Sequence, residues 1–372
     1  MRDICRTVIG VGSALGLTLI WSVNPDLAAS AWWVAVPSRS AAISAVASDQ
    51  GATTLAISRG RAGRYTPATG QFLPLPRPSG MSAQLDAAVA VAAVGREGVI
   101  AYRQGQLAAV SESNQVCPVT AVEGDPTALA LSGPSGEIVA VATSSGLFSG
   151  RLGRPLTRDA AGRGQALIAP PKPGRDWLAL VGGRLWESQG GRHWTRAEHA
   201  PAFGPETHAL TELATGAILV GQPGGLIWRG YQGRWYRALQ LLPYGGLGGV
   251  PRVTALVADS ATSAYLATDG FGTLLTPDGG FSWYRAPPPD AAVTALATVG
   301  PVFSDNSHGL VVALAAGRIF LHRLQPFPAP PAYTPGGAAA ELAGTAAVTL
   351  VAAGAVVLLL WLLNRRRRRR SV

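Results

Sequence analysis

Arginine carries most of the chemistry this chain could perform. Arg59, Arg61, Arg103, Arg184, Arg252 and Arg318 each lie within two residues of a glycine or proline, in connecting segments with Arg39 and Arg77. A guanidinium held in a turn can grip a carboxylate, sulfate or phosphate through paired hydrogen bonds. Asp86, Glu123, Asp125, Glu206 and Asp269 are interspersed with them, so the same segments read either as a face for an anionic glycan or acidic protein or as a mixed solvated rim. Other chemistries lack their residues. His193, His199, His208, His308 and His322 are scattered, and no Cys/His pair has zinc spacing. There is no phosphate-cradling glycine loop, no His-Glu-x-x-His and no Gly-x-Ser-x-Gly. The glycine-rich run Tyr244–Gly249 has no strand-helix context. No catalytic residue, metal or cofactor is therefore assigned. Cys5 and Cys117 are the two cysteines. With Cys5 in a cleaved leader, Cys117 stands alone, either as a reactive thiol or as a small, partly buried residue.

The formal charge of +10 is dominated by the run Arg365–Arg370. Between Trp32 and Leu324, 23 cationic side chains face 18 carboxylates, which is only mildly basic. Nucleic-acid binding calls for a stronger, clustered footprint and is not expected. One lysine against 30 arginines reads as the coding bias of a GC-rich bacterium.

The element that must position these arginines is a repeat. A small or polar residue, then alanine, then leucine or valine opens an apolar run at Ala45, Ala90, Ala128, Ala166, Ala209, Ala255 and Ala295. Successive alanines are 38 to 46 residues apart, the length of one four-stranded propeller blade. The unit 253–286 is clearest. It predicts strands at Val253–Ala258, Ser263–Thr268, Thr273–Leu275 and Phe281–Arg285, divided by polar turns. The last unit, 293–325, shows three strands, and Trp32–Val36 is expected to supply the fourth and close the ring.

Within unit 253–286, Thr276-Pro-Asp278-Gly-Gly280-Phe-Ser282-Trp283 has the composition of a self-bonded turn. Asp278 can accept backbone N–H bonds, Gly280 can take positive φ, and Trp283 can pack back under the turn. Eroded copies occur at Glu187–Trp194 and Trp228–Trp235, and three fourth strands align as His193-Trp-Thr-Arg-Ala197, Arg234-Trp-Tyr-Arg-Ala238 and Ser282-Trp-Tyr-Arg-Ala286. The stretch resembles the Asp-box of the sialidase/BNR-type β-propellers. That resemblance implies an all-β propeller of about seven four-stranded blades, with Thr276, Asp278, Gly280, Ser282 and Trp283 as structural residues. It reaches the scaffold and not the chemistry. Sialidases grip a carboxylate with three arginines, the first in a Phe/Tyr-Arg-Ile-Pro motif, beside a Tyr–Glu pair and an Asp. Here the corresponding region reads Val36-Pro-Ser-Arg39-Ser. Binding or scaffolding, of the kind performed by assembly factors with similar repeats, is the first reading; a sialidase-like glycoside hydrolase is the alternative.

The two ends predict a membrane protein. Residues 1–31 have Arg2 and Arg6, an apolar stretch Thr7–Trp21 and an Ala29-Ser-Ala31 cleavage signal, as in a secretory signal peptide, with an uncleaved anchor as the alternative. The propeller is expected over 32–325 and a Pro/Gly-rich stalk over 326–341. The 22 residues 342–363 carry no charge. At ~1.5 Å per residue they would span about 33 Å as a single C-terminal transmembrane helix. The arginine-rich tail 364–372 would stay inside, leaving the ectodomain on the outer side of the cytoplasmic membrane.

Overall fold

The computed structural model describes residues 33–36, 43–47, 54–66, 69, 71–78, 87–94, 97–132, 137–170, 175–242, 249–289, 292–299, 309–314 and 319–323. The expected signal peptide, stalk, membrane helix and arginine tail lie outside the described residues, as does Arg318. Among the described residues no helix is long and apolar enough to cross a membrane.

The described residues form twenty-eight strands. β1 is Trp33–Val36. Blade 1 has β2 (Ile43–Ala47), β3 (Thr54–Ser58), β4 (Arg61–Thr66) and β5 (Gln71–Pro74). Blade 2 has β6 (Ala88–Val94), β7 (Glu97–Tyr102), β8 (Gln106–Val110) and β9 (Val116–Ala121). Blade 3 has β10 (Pro126–Ser132), β11 (Ile138–Thr143), β12 (Gly146–Arg151) and β13 (Thr157–Ala161). Blade 4 has β14 (Gly164–Ile168), β15 (Trp177–Val181), β16 (Arg184–Ser188) and β17 (Thr195–Arg196). Blade 5 has β18 (Ala209–Glu212), β19 (Ile218–Gly221), β20 (Leu226–Tyr231) and β21 (Arg234–Gln240). Blade 6 has β22 (Val253–Ala258), β23 (Ala264–Thr268), β24 (Gly272–Thr276) and β25 (Tyr284–Pro289). Blade 7 has β26 (Val293–Val299), β27 (Gly309–Leu314) and β28 (Ile319–Arg323).

The strands pair antiparallel into seven four-stranded sheets, each in sequence order except the last, whose order is β26-β27-β28-β1. β1 pairs with β28 over Trp33↔His322 to Val36↔Ile319, so the two ends of the propeller share one sheet. The first strands β2, β6, β10, β14, β18, β22 and β26 each touch the next, and β26 touches β2. They form a closed inner ring.

At every repeat position but Ala209 the alanine follows a bulge in this inner ring. Pairing of the first two strands skips one residue immediately before Ala45, Ala90, Ala128, Ala166, Ala255 and Ala295. At three of these bulges the extra residue is a threonine whose hydroxyl reaches the neighbouring blade. Thr127 Oγ1 donates to the Gly164 carbonyl at 2.9 Å, Thr254 Oγ1 to the Val293 carbonyl at 2.9 Å, and Thr294 Oγ1 to the Ile43 carbonyl at 3.1 Å. The last bond joins blade 7 to blade 1. A small residue follows each bulge because two inner strands approach closely there.

Between blades the core is aliphatic. Leu55, Ile57 and Ile100 fill the seam of blades 1 and 2, and Leu178, Leu180, Leu185 and Leu210 fill that of blades 4 and 5. Each such buried side chain contributes roughly 1.5–3 kcal/mol relative to exposure. The fourth strand of three blades lays an arginine over an aromatic ring of its own sheet: Arg158 on Phe148 at 5.9 Å, Arg237 on Trp228 at 5.6 Å and Arg285 on Phe271 at 4.3 Å. Arg237 and Arg285 belong to the aligned Trp-x-Arg pattern, which in those two blades straps the outer edge of the sheet.

Candidate functional site: an arginine cleft

Turns between second and third strands, and links between blades, share one face of the ring. In blade 1 the turn is two residues long. Arg59 and Gly60 have φ of 50° and 73°, the paired left-handed geometry that suits a tight hairpin. The Gly60 carbonyl accepts from Ala88 N at 2.9 Å, and the Ala62 carbonyl from Leu75 N at 3.0 Å. These bonds bring Leu75 and Ala88, near the two described ends of the link, against the turn, beside a cleft of about 340 Å³. Arg59, Arg61 and Arg77 line it with Leu75, Pro76 and Tyr102. The three arginines are exposed, while Leu75 and Tyr102 are 7% and 6% exposed. No carboxylate lines the cleft among the described residues. An apolar floor beside exposed guanidinium groups is an arrangement that can hold an anionic group.

Among the described residues, the other expected ligand-face arginines, Arg103, Arg184 and Arg252, do not line this cleft. Arg103 begins the equivalent turn of blade 2, its N–H bonded to the Ala87 carbonyl at 3.2 Å. Arg184 follows the Gly182-Gly183 turn of blade 4. Arg252 precedes blade 6, and its N–H donates to Asp269 Oδ1 at 2.8 Å. Two of the interspersed carboxylates are likewise engaged with backbone: Asp269 there, and Asp125, which accepts from Gln104 N at 2.9 Å. Cys117, for which a partly buried position was one of the two readings, is exposed.

The opposite face carries the Asp278 turn. Asp278 Oδ1 accepts from Thr276 Oγ1 at 2.9 Å, Phe281 N at 3.0 Å and Ser282 N at 2.8 Å, and Oδ2 accepts from Ser282 Oγ. Gly280 has φ 96°, and a Cβ there would meet Leu219 Cδ2 at 2.9 Å. Trp283 packs across the blade seam on Leu213, Ala217, Leu219 and Ala264. Because Asp278 holds the amides of residues 281 and 282 inside the turn, β25 starts at Tyr284 and not at the expected Phe281. Arg229 of β20, 8% exposed, inserts beneath this turn. Its Nε donates to the Gly279 carbonyl at 2.5 Å and its Nη1 donates to Tyr236 Oη. The Phe281 ring lies 4.3 Å from the guanidinium.

A carboxylate seam between blades 4 and 5 had no sequence signal. Leu178, Leu185 and Leu210 face that seam. With side chains alternating along a strand, Asp176, Glu187 and Glu212, each two residues away, face it too. Glu212 is 7% exposed, and its Oε2 has no hydrogen-bond partner. Arg175 lies over the adjoining turn, its Nη2 donating to the Ala214 carbonyl at 3.2 Å. Burial pushes the Glu212 carboxyl up from 4.5 to about 7; Arg175 opposes the rise, and Asp176 and Glu187 add to it. Burial, then Asp176, raises Glu187 as well. A carboxyl raised on folding binds more protons folded than unfolded, so its stabilising proton is present below the unfolded value of 4.5 and lost as pH rises through about 7. Glu212→Gln should therefore stabilise the protein at pH 8 by up to about 3 kcal/mol and change little near pH 4.5. Denaturant midpoints at the two pH values measure this. An equal shift at both would contradict it.

No protein-family model matches the chain, and no curated protein matches it. Solved structures do match. One described as YCF48 bound to D1 peptide is 14% identical, covers 81% of this chain and 97% of its own, and has a TM-score of 0.58. U3-55K is 11% identical over 78% and 98%, with a TM-score of 0.59. Virginiamycin B lyase from Staphylococcus aureus is 10% identical over 79% and 99%, with a TM-score of 0.55. At such identities the likeness is one of fold. Strand pairing and likeness together make this chain a β-propeller.

Proposed function

We propose that the chain is a membrane-anchored, extracytoplasmic β-propeller of the Asp-box type that binds or scaffolds an acidic protein segment or anionic glycan. The observation that carries this reading is the cleft lined by Arg59, Arg61 and Arg77, on the face built by the turns between second and third strands and the links between blades. A propeller of similar fold with a peptide bound, YCF48, supports the protein-binding class. The uncharged stretch 342–363 with its arginine flank supports the anchoring, with the ectodomain outside. The Asp278 hydrogen bonds support the Asp-box assignment. The hydrolase reading is less well supported. A sialidase-type site needs a Tyr–Glu pair and an aspartate beside its arginines, whereas the described lining of this cleft offers Tyr102 and no carboxylate.

The test is binding of the full chain, in detergent, to two probes: polyglutamate and heparin. Each charge-assisted hydrogen bond contributes about 1.5–3 kcal/mol. Arg59→Glu, Arg61→Glu and Arg77→Glu together should weaken the preferred probe at least about a hundredfold. Arg252→Glu, whose backbone N–H is the group that bonds Asp269, should change it little. Unaltered binding of both probes by the triple variant, or a parent that binds neither, would overturn the assignment.

A further inference from the structure

The face opposite the cleft has exposed side chains that the binding reading does not use. It is built by the turns between third and fourth strands, and β28 ends on it at Arg323. From blade 3 to blade 6 these turns and their flanks expose Arg151, Arg154, Arg192 and Arg234. Beside them the Tyr231 and Phe281 rings are 39% and 66% exposed. Asp278, the one carboxylate within these four turns, is turned inward onto its own backbone. Glu137, on the adjoining turn of blade 3, is exposed. Phe281 is held outward by contact with the Arg229 guanidinium at 4.3 Å and by stacking on Tyr236 at 6.0 Å.

We propose that this arc of turns rests on the headgroups of an anionic lipid bilayer. The surface is a row of strand-end tips, broken by one open hollow of about 400 Å³ beside Arg151 and Glu137, and such a row suits an extended plane. Its composition also suits the interface: guanidinium groups reach phosphates while their stems and the aromatic rings sit among the upper acyl chains. The last described strand, β28, ends on this face, and the uncharged stretch 342–363 follows it in the sequence. The inference rests on the membrane-anchored reading. It adds an orientation, with the arginine cleft directed away from the membrane.

The test places a fluorophore at Phe281→Cys or, on the opposite face, at Arg59→Cys, in the full chain with Cys5→Ala and Cys117→Ala. The chain is inserted into vesicles of phosphatidylglycerol with phosphatidylcholine, or of phosphatidylcholine alone, containing a headgroup spin label. The expected result is quenching at 281 several-fold greater than at 59 in the anionic vesicles. The difference should be lost on charge reversal of Arg151, Arg154, Arg192 and Arg234, and also for the unreversed chain in salt of about 0.5 M, which screens surface charge without altering the fold. Equal quenching at both positions in anionic vesicles would overturn the orientation and leave the anchoring intact; an acidic protein as the true occupant gives this outcome. A chain that does not enter vesicles would overturn the anchoring, and the orientation with it.

Discussion

Excising residues 32–36 should cost the propeller about 4 kcal/mol or more and lower its melting temperature by about 5–10 °C. The reason is covalent as much as contact-based. Blade 7 takes three strands from one end of the chain and β1 from the other. Four residue pairs hold β1 to β28. Without β1, β28 becomes an open edge with unpaired backbone groups. Blade 7 would then meet blade 1 through the contacts of β26 and β27 with β2 and the bond from Thr294 to Ile43. Concentration-dependent association through the exposed edge should accompany the loss. Thr294→Val, which weakens the same junction at one side chain, should cost only about 1 kcal/mol. Calorimetry and sedimentation on both variants separate the two effects. If the excised chain melts with the parent and stays monomeric, β1 does not close the ring in solution.

The repeat was legible because it is written in residue types. The polar–Ala–Leu/Val pattern marks strands that must approach closely, and the Trp-x-Arg fourth strands mark an outer edge. What the pattern did not disclose is why the polar residue is there. It sits at a bulge, and a bulge leaves no signature in one strand's hydrophobicity, since it is a relation between two strands. The same limit hid Glu212. Its neighbours Asp176 and Glu187 lie 36 and 25 residues away, and only the parity of three separate strands turns all of them into one seam. The arginines were visible as turn residues, but their grouping was not. Arg59 and Arg61 converge with Arg77 because the Leu75 N–H bonds the Ala62 carbonyl of the same blade, whereas Arg184 and Arg252 stay at the turns of more distant blades. At the Asp278 turn the residues of the motif were readable, and its main support was not. Arg229 belongs to the preceding blade, where nothing distinguishes it from a solvent-facing strand arginine.

Arg229 yields the other large effect. Arg229→Ala should destabilise the protein by about 3 kcal/mol and lower the melting temperature by about 5 °C. The guanidinium is almost fully buried, and the Gly279 carbonyl it serves would lose that donor. A cavity would open beneath Phe281, and the stack of Phe281 on Tyr236 would lose its support. Arg229→Met restores much of the stem volume without the donors, so it should recover part of the loss and no more. Asp278→Ala alone should cost about 2 kcal/mol, because the amides of residues 281 and 282 lose their acceptor. The two sites are not independent. Tyr236 is raised chiefly by burial, with Arg229 opposing and Asp278 reinforcing the rise, so both charges act at one ring. The double variant should therefore fall short of additivity by about 0.5–1.5 kcal/mol. Hydrogen exchange at residues 277–283 should accelerate in each single variant and no further in the double. Strict additivity, with exchange in Arg229→Ala like that of the parent, would mean that the turn stands on Asp278 alone and that the arginine serves blade 5.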